Sequence, residues 1–132
     1  MDVVTTVAEV RARVRDWRQA GLRVALVPTM GNLHAGHLSL LPAARFRAER
    51  VIASVFVNPL QFGPAEDFAA YPRTLADDRG LLDEAHCDLL FAPEVEQLYP
   101  DGGAQPTLVT VRSLAAVLCK YTLRGWNPKF PT

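Results

Sequence analysis

Cysteine is scarce in this chain: Cys87 and Cys119 are its two, far apart and in no Cys-x-x-Cys pair. That argues against a disulfide framework or a zinc ribbon and fits reduced thiols in the cytoplasm. An excess of one charge is missing too, since 14 Lys and Arg meet 14 Asp and Glu. Proteins that grip nucleic acid through its phosphates usually carry a basic surplus, so no nucleic-acid partner is expected. No apolar run approaches the ~20 residues of a membrane span, so no membrane partner is expected either. Met1-Asp2-Val3-Val4 places no basic segment before an apolar stretch, which argues against a secretory signal. Repeats and low-complexity tracts are absent. What is present is ordinary soluble composition, 49% apolar and 21% charged, on 132 residues. That length suits one domain with its own core.

Residues 6–20 read as a helix, with Val7, Val10, Val14 and Trp17 on one face and Arg11, Arg13, Arg15 and Arg18 on the solvated one. Thr6 and Glu9 fit a capping box, and Gly21 fits the stop. Three continuous apolar runs, residues 24–27, 51–57 and 89–92, each close on a proline or Asn-Pro. Strands buried on both faces read this way. Helical stretches at about 33–47 and 74–85 separate them. The alternation predicts βαβ units and a parallel sheet. A fourth strand is expected at 108–111 and the start of a helix at 113–118. Pro42 should kink the second helix, at about 3 kcal/mol in a regular interior. Gly80 weakens the third by roughly 1 kcal/mol against Ala. From Lys120 onward there is no period of either kind, so residues 120–132 read as a tail.

The informative run is Val27-Pro28-Thr29-Met30-Gly31-Asn32-Leu33-His34-Ala35-Gly36-His37-Leu38, placed where a strand ends and a helix begins. Ligands of open parallel sheets bind beyond the carboxyl ends of the strands. Gly31 permits a tight turn. Gly36 lets phosphates or a flat group approach the first helical turn, whose free amides favour an anion. His34 and His37, three apart, share a helix face and can point at one phosphate. Donors aimed at the charge that grows on an α-phosphate as pyrophosphate leaves lower the barrier to nucleotidyl transfer. A metal site is the rival for such a pair, but no Glu or Cys stands at zincin spacing, so no protein-held metal is expected. Two structural histidines are the other rival.

Asn58 and Gln61, in Asn58-Pro59-Leu60-Gln61-Phe62, follow the second strand at the same sheet edge. Their amides donate and accept, as a small hydroxy acid requires. An ordinary Asn-Pro turn with a solvated Gln61 is the alternative. Thr74 with Asp77 suits a helix cap, and Arg73 suits a phosphate, a carboxylate or a structural role. Glu66, Asp67, Asp77 and Asp78 read as solvated loop and helix-start charges. His86 and Cys87 are assigned no function.

Met30 to His37 resembles the His-x-Gly-His signature of the nucleotidylyltransferase superfamily. The wider set is Val27 to His37, Phe56-Val57-Asn58-Pro59-Leu60-Gln61-Phe62, Glu66-Asp67, Tyr71-Pro72-Arg73-Thr74, and Phe91-Ala92-Pro93 with Tyr99-Pro100. In this order it resembles the pantothenate synthetase family over about residues 3–119. The resemblance implies a Rossmann-like α/β parallel sheet with flanking helices. It implies an ATP-dependent ligase that adenylates pantoate and then lets β-alanine displace AMP. ATP as a substrate would be lined by Met30, Gly31, Asn32, Leu33, His34, Ala35, Gly36 and His37, with Mg2+ on its triphosphate. His37 would be the proton donor, and Gln61 would hold pantoate and then β-alanine. A homodimer in the cytoplasm is implied as well.

After Leu118-Cys119 the family continues with a glycine and an Arg-Pro-Gly-His-Phe segment, where this chain has Lys120-Tyr121-Thr122. The family's later Lys-Asp loop, Ser-Ser-Arg segment and covering C-terminal domain have no counterpart here, and its second helix carries no proline at position 42. These departures imply a domain of residues 1–119, incomplete at its C-terminal side, with weak activity or none alone. Two rivals follow. One is a non-catalytic remnant that binds nucleotide or an intact subunit. The other is a different adenylyl- or cytidylyltransferase.

Overall fold

The computed structural model describes residues 1–62 and 68–101. The expected strand at 108–111, the helix at 113–118, the tail, Cys119, Glu66 and Asp67 lie outside the described residues. Helix α1, Val7–Gln19, starts on the predicted capping box: Glu9 N donates to Thr6 Oγ1 and Thr6 N to Glu9 Oε2. It stops where Gly21 takes φ +79°. Arg13 departs from the solvated face, since its side chain is half-buried, pairs with Asp2 at 3.0 Å and lies over the Trp17 ring.

The three apolar runs form strands β2 (Val24–Thr29), β3 (Arg50–Val55) and β4 (Leu89–Phe91). A fourth strand, β1 (Asp2–Val4), escaped the sequence reading because three residues carry no period. All pairings are parallel, in the order β1-β4-β3-β2. Val51, Ile52, Ala53, Leu89 and Leu90 are buried because the two central strands are covered on both faces. Leu41, Leu82 and Cys87 pack onto them.

The second helix is divided, as α2 (Ala35–Leu38) and α3 (Leu40–Arg45). Pro42 accounts for the break: it has no N–H for the carbonyl four residues back, and its ring crowds that carbonyl. That residue is Leu38, where α2 ends. The proline then sits in the first turn of α3, where a missing donor costs little. Helix α4, Leu75–Glu84, corrects the Thr74–Asp77 cap. Thr74 makes no side-chain cap bond and donates to Asp78 instead. Gly80 has nothing within 4 Å of where a Cβ would stand, so no close packing calls for it there. A short helix α5, Val95–Leu98, follows β4.

At the amino ends of the strands, Asp88 accepts from Val51 N and pairs with Arg45 at 3.0 Å, and Arg45 also donates to the His86 carbonyl. The carboxyl ends of β1 to β4 share the opposite edge, and the runs Met30 to His37 and Asn58 to Gln61 follow β2 and β3 there.

Candidate active site

The site is built from a turn. Thr29, the last residue of β2, donates through Oγ1 to Ser54 O at 2.8 Å and accepts from Gly31 N at 3.2 Å. The chain then turns through two consecutive left-handed residues, Gly31 at φ +81° and Asn32 at φ +53°. Gly31 is buried, and a Cβ there would stand 2.9 Å from Asp78 Oδ2 and 3.1 Å from Val55 Cγ1. Both the backbone and the space demand glycine.

Asp78 corrects the reading of that residue as a solvated charge. It is 1% exposed. Its carboxylate accepts from Asn32 N at 2.9 Å, Leu33 N at 2.8 Å and Thr74 Oγ1 at 3.0 Å. The sequence offered no signal, because an Asp in the first turn of a helix normally answers the helix dipole.

His34 then caps α2. Its Nδ1 accepts from Gly36 N at 3.0 Å, and His37 Nδ1 accepts from His34 N at 3.2 Å. The rings lie 4.1 Å apart, tilted by 43°. A ring nitrogen that accepts carries no proton, so each neutral imidazole holds its proton on Nε2. The pair therefore presents two Nε2–H donors away from the backbone. A Cβ on residue 36 would stand 2.8 Å from His34 Cε1, a second reason for Gly36.

Several of the amides at this helix start are already occupied by the protein itself. Helix α2 has four residues, and the amides of Asn32, Leu33, His34 and Gly36 already have acceptors within the protein. The imidazoles offer further donors to a ligand. Burial, and then the neighbouring His34, push His37 below the ordinary imidazole value, and Asp78 partly opposes them. A lowered pKa keeps the neutral, donating form at physiological pH. We expect His37 to titrate below 6.5 by NMR, the ordinary value. Its contribution to stability is present above the ordinary pKa and is lost as pH falls through the lowered one. There Nδ1 gains a proton and faces the His34 N–H. A midpoint at or above 6.5 would contradict this environment.

The remaining motif residues divide. Met30 and Gly31 line a cavity of about 310 Å³ with Val55, Phe56, Arg73 and Asp78. Leu33 packs on the core, and Asn32 and Ala35 are exposed. Asn58 caps the 3-10 turn Pro59–Gln61, with Oδ1 accepting from Leu60 N at 3.1 Å and Tyr99 Oη at 3.0 Å. Its amide nitrogen has no acceptor among the described residues. Gln61 is exposed at the end of that turn. The fold thus joins His34 to His37, and Met30 and Gly31 to the cavity. Neither His34, His37, Asn58 nor Gln61 lines that cavity.

Arg73 is taken up by its own loop, donating to the Ala69 and Tyr71 carbonyls at 3.0 and 3.1 Å and stacking on Phe68. Cys87 is a buried thiol raised by desolvation, an inert core residue. The described residues contain no group of three His, Cys, Asp or Glu placed to hold a metal ion.

Comparison with known proteins adds the following. The family described as pantoate-beta-alanine ligase matches residues 2–126. A pantothenate synthetase of Pseudomonas savastanoi pv. phaseolicola is 56% identical over 119 residues, 90% of this chain and 42% of that protein. One from Hydrogenovibrio crunogenus is 48% identical over 118 residues, again 42% of that protein. Among solved structures, pantothenate synthetase from Thermus thermophilus superposes with a TM-score of 0.72 at 47% identity, covering 98% of this chain and 44% of that one. The pantoate-beta-alanine ligase from Francisella tularensis, complexed with beta-gamma ATP and beta-alanine, has a TM-score of 0.76 at 29% identity, covering 98% and 48%. The chain thus spans less than half the length of each of these relatives.

Proposed function

The chain belongs to the pantoate-beta-alanine ligase family, and from that premise we propose that residues 1–119 form the nucleotide- and pantoate-binding part of such a ligase. The observation that carries the reading is the imidazole pair, whose two Nδ1 atoms are tied to the backbone so that both Nε2–H groups face outward. That is an arrangement for meeting a phosphate. A different adenylyl- or cytidylyltransferase loses its appeal with the family known.

On this reading ATP lies along Met30 to His37. A pantoate carboxylate oxygen attacks the α-phosphorus, the bond to the bridging oxygen breaks, and pyrophosphate departs. Negative charge grows on the α-phosphoryl oxygens, and donors already aimed at it need no reorganisation. His37, half-buried and held neutral, is the proton donor; His34 is its more exposed companion. The β-alanine amine then attacks the acyl carbon and AMP leaves. Gln61 holds pantoate and afterwards β-alanine, with the Asn58 amide nitrogen beside it. Magnesium bound to the ATP triphosphate belongs to the same reading. A cytoplasmic homodimer belongs to the same reading, supported by family membership alone.

The test is pantoate-dependent exchange of labelled pyrophosphate into ATP. In Gln61→Ala the pantoate concentration for half-maximal exchange should rise about tenfold or more, as expected when a charged substrate loses its hydrogen-bonding partner. The ATP requirement should stay unchanged. Unaltered pantoate dependence would remove Gln61 from the substrate site. A segment that binds nucleotide without turning over is the second reading. It would appear as ATP binding without exchange.

A further inference from the structure

We propose that Asp78 is the positioning residue of this site, holding the Gly31–Asn32–Leu33 turn and, through it, the two imidazoles. The inference deepens the proposed function and rests on it where nucleotide is concerned. Three observations carry it.

Asp78 is almost fully buried yet satisfied, taking two consecutive backbone N–H groups and one hydroxyl. Successive backbone N–H groups in a turn can converge to form a cup for an anion, as those of Asn32 and Leu33 do here. In this chain the cup is filled by the protein's own carboxylate rather than left for a phosphate. A non-glycine residue at positive φ is uncommon, and asparagine is among the few that adopt it readily. Asn32, at φ +53°, is such a residue, and its N–H is bonded to Asp78.

The turn also leads directly into the histidines. Leu33, whose N–H is held at 2.8 Å, immediately precedes His34, whose backbone N–H fixes His37 Nδ1. A shift of the turn moves the cap residue and both rings with it. The charge of Asp78 also acts on His37 across the site. Asp78 itself lines the cavity with Met30 and Gly31 and touches neither imidazole in a hydrogen bond, so it acts through the turn.

The experiment compares the whole chain with its Asp78→Asn variant, which keeps the shape but replaces one acceptor by an NH2 group facing an N–H. Imidazole 15N shifts report the tautomers of His34 and His37, and titration with ATP reports affinity. The fold is monitored at the buried amides of Leu89 and Leu90. We expect the wild-type chain to show both rings as Nε2–H. In Asp78→Asn the single-tautomer state should be lost and ATP should bind about tenfold more weakly or worse, the scale of one unsatisfied buried amide. Unchanged tautomers in a folded variant would overturn the proposal. Changed tautomers with no ATP binding by either protein would leave the positioning role standing and remove the nucleotide reading. If Asp78→Asn does not fold, Thr74→Val removes only the hydroxyl on Oδ2. A smaller tautomer change in the same direction then supports the role, and none overturns it.

Discussion

Replacing His37 by alanine is expected to lower pantoate-dependent pyrophosphate exchange by about 10²–10³-fold, the usual cost of deleting one preorganised donor to a developing anion. Two functions of the side chain are lost together: the outward Nε2–H and the Nδ1 that accepts His34 N–H at 3.2 Å. His37→Gln separates them. A glutamine at the third helical position can reach back to the cap amide but places no imidazole donor toward a ligand. Its thermal stability should stay near that of wild type while its exchange falls as in the alanine variant. If His37→Gln retained full exchange, His37 would be a capping residue and not the donor.

The largest effect on stability is expected at Gly31. An alanine there meets two costs. The left-handed backbone, at φ +81°, costs roughly 1–2 kcal/mol for an L side chain. The added methyl would also stand 2.9 Å from Asp78 Oδ2 and 3.1 Å from Val55 Cγ1. Asp78 cannot retreat without giving up bonds to Asn32, Leu33 or Thr74. Gly31→Ala should therefore cost about 2–4 kcal/mol, a large part of the stability of a small domain. Gly21 supplies the control, since it has φ +79° and nothing within 4 Å of its Cβ position. Gly21→Ala should cost about 1–2 kcal/mol, from backbone strain alone. Urea unfolding of the two variants isolates the clash with Asp78; equal losses would mean that the turn is not packed against the carboxylate.

The βαβ frame was legible because buried parallel strands write themselves as unbroken apolar runs. The α1 boundaries were legible because a capping box and a stop glycine are local chemistry. Pro42 told more than a kink: counted back four residues it marks Leu38, where the helix divides. Strand β1 was not legible, since Asp2–Val4 is too short for any pattern and is recognised only by its pairing to β4. Asp78 was hidden for a different reason. Its partner Asn32 lies 46 residues away, and beside Asp77 in a first helical turn it looks like ordinary dipole compensation. The histidine pair was visible as spacing, but its two backbone bonds, which decide where the protons sit, depend on the cap geometry of α2. Spacing also placed Asn58 and Gln61 beyond the carboxyl end of β3 without revealing that Asn58 Oδ1 is committed to Leu60 and Tyr99.

The most direct test of the central claim is a titration of the chain with ATP, followed at the imidazole signals of its histidines. Three histidines make the experiment self-controlled, because His86 follows α4 at the opposite edge of the sheet, before β4. We predict saturable shifts at His34 and His37, with one common dissociation constant, and no shift at His86. Shifts at His86 alone, or none at His34 and His37 in a folded chain, would contradict a nucleotide site built on this pair.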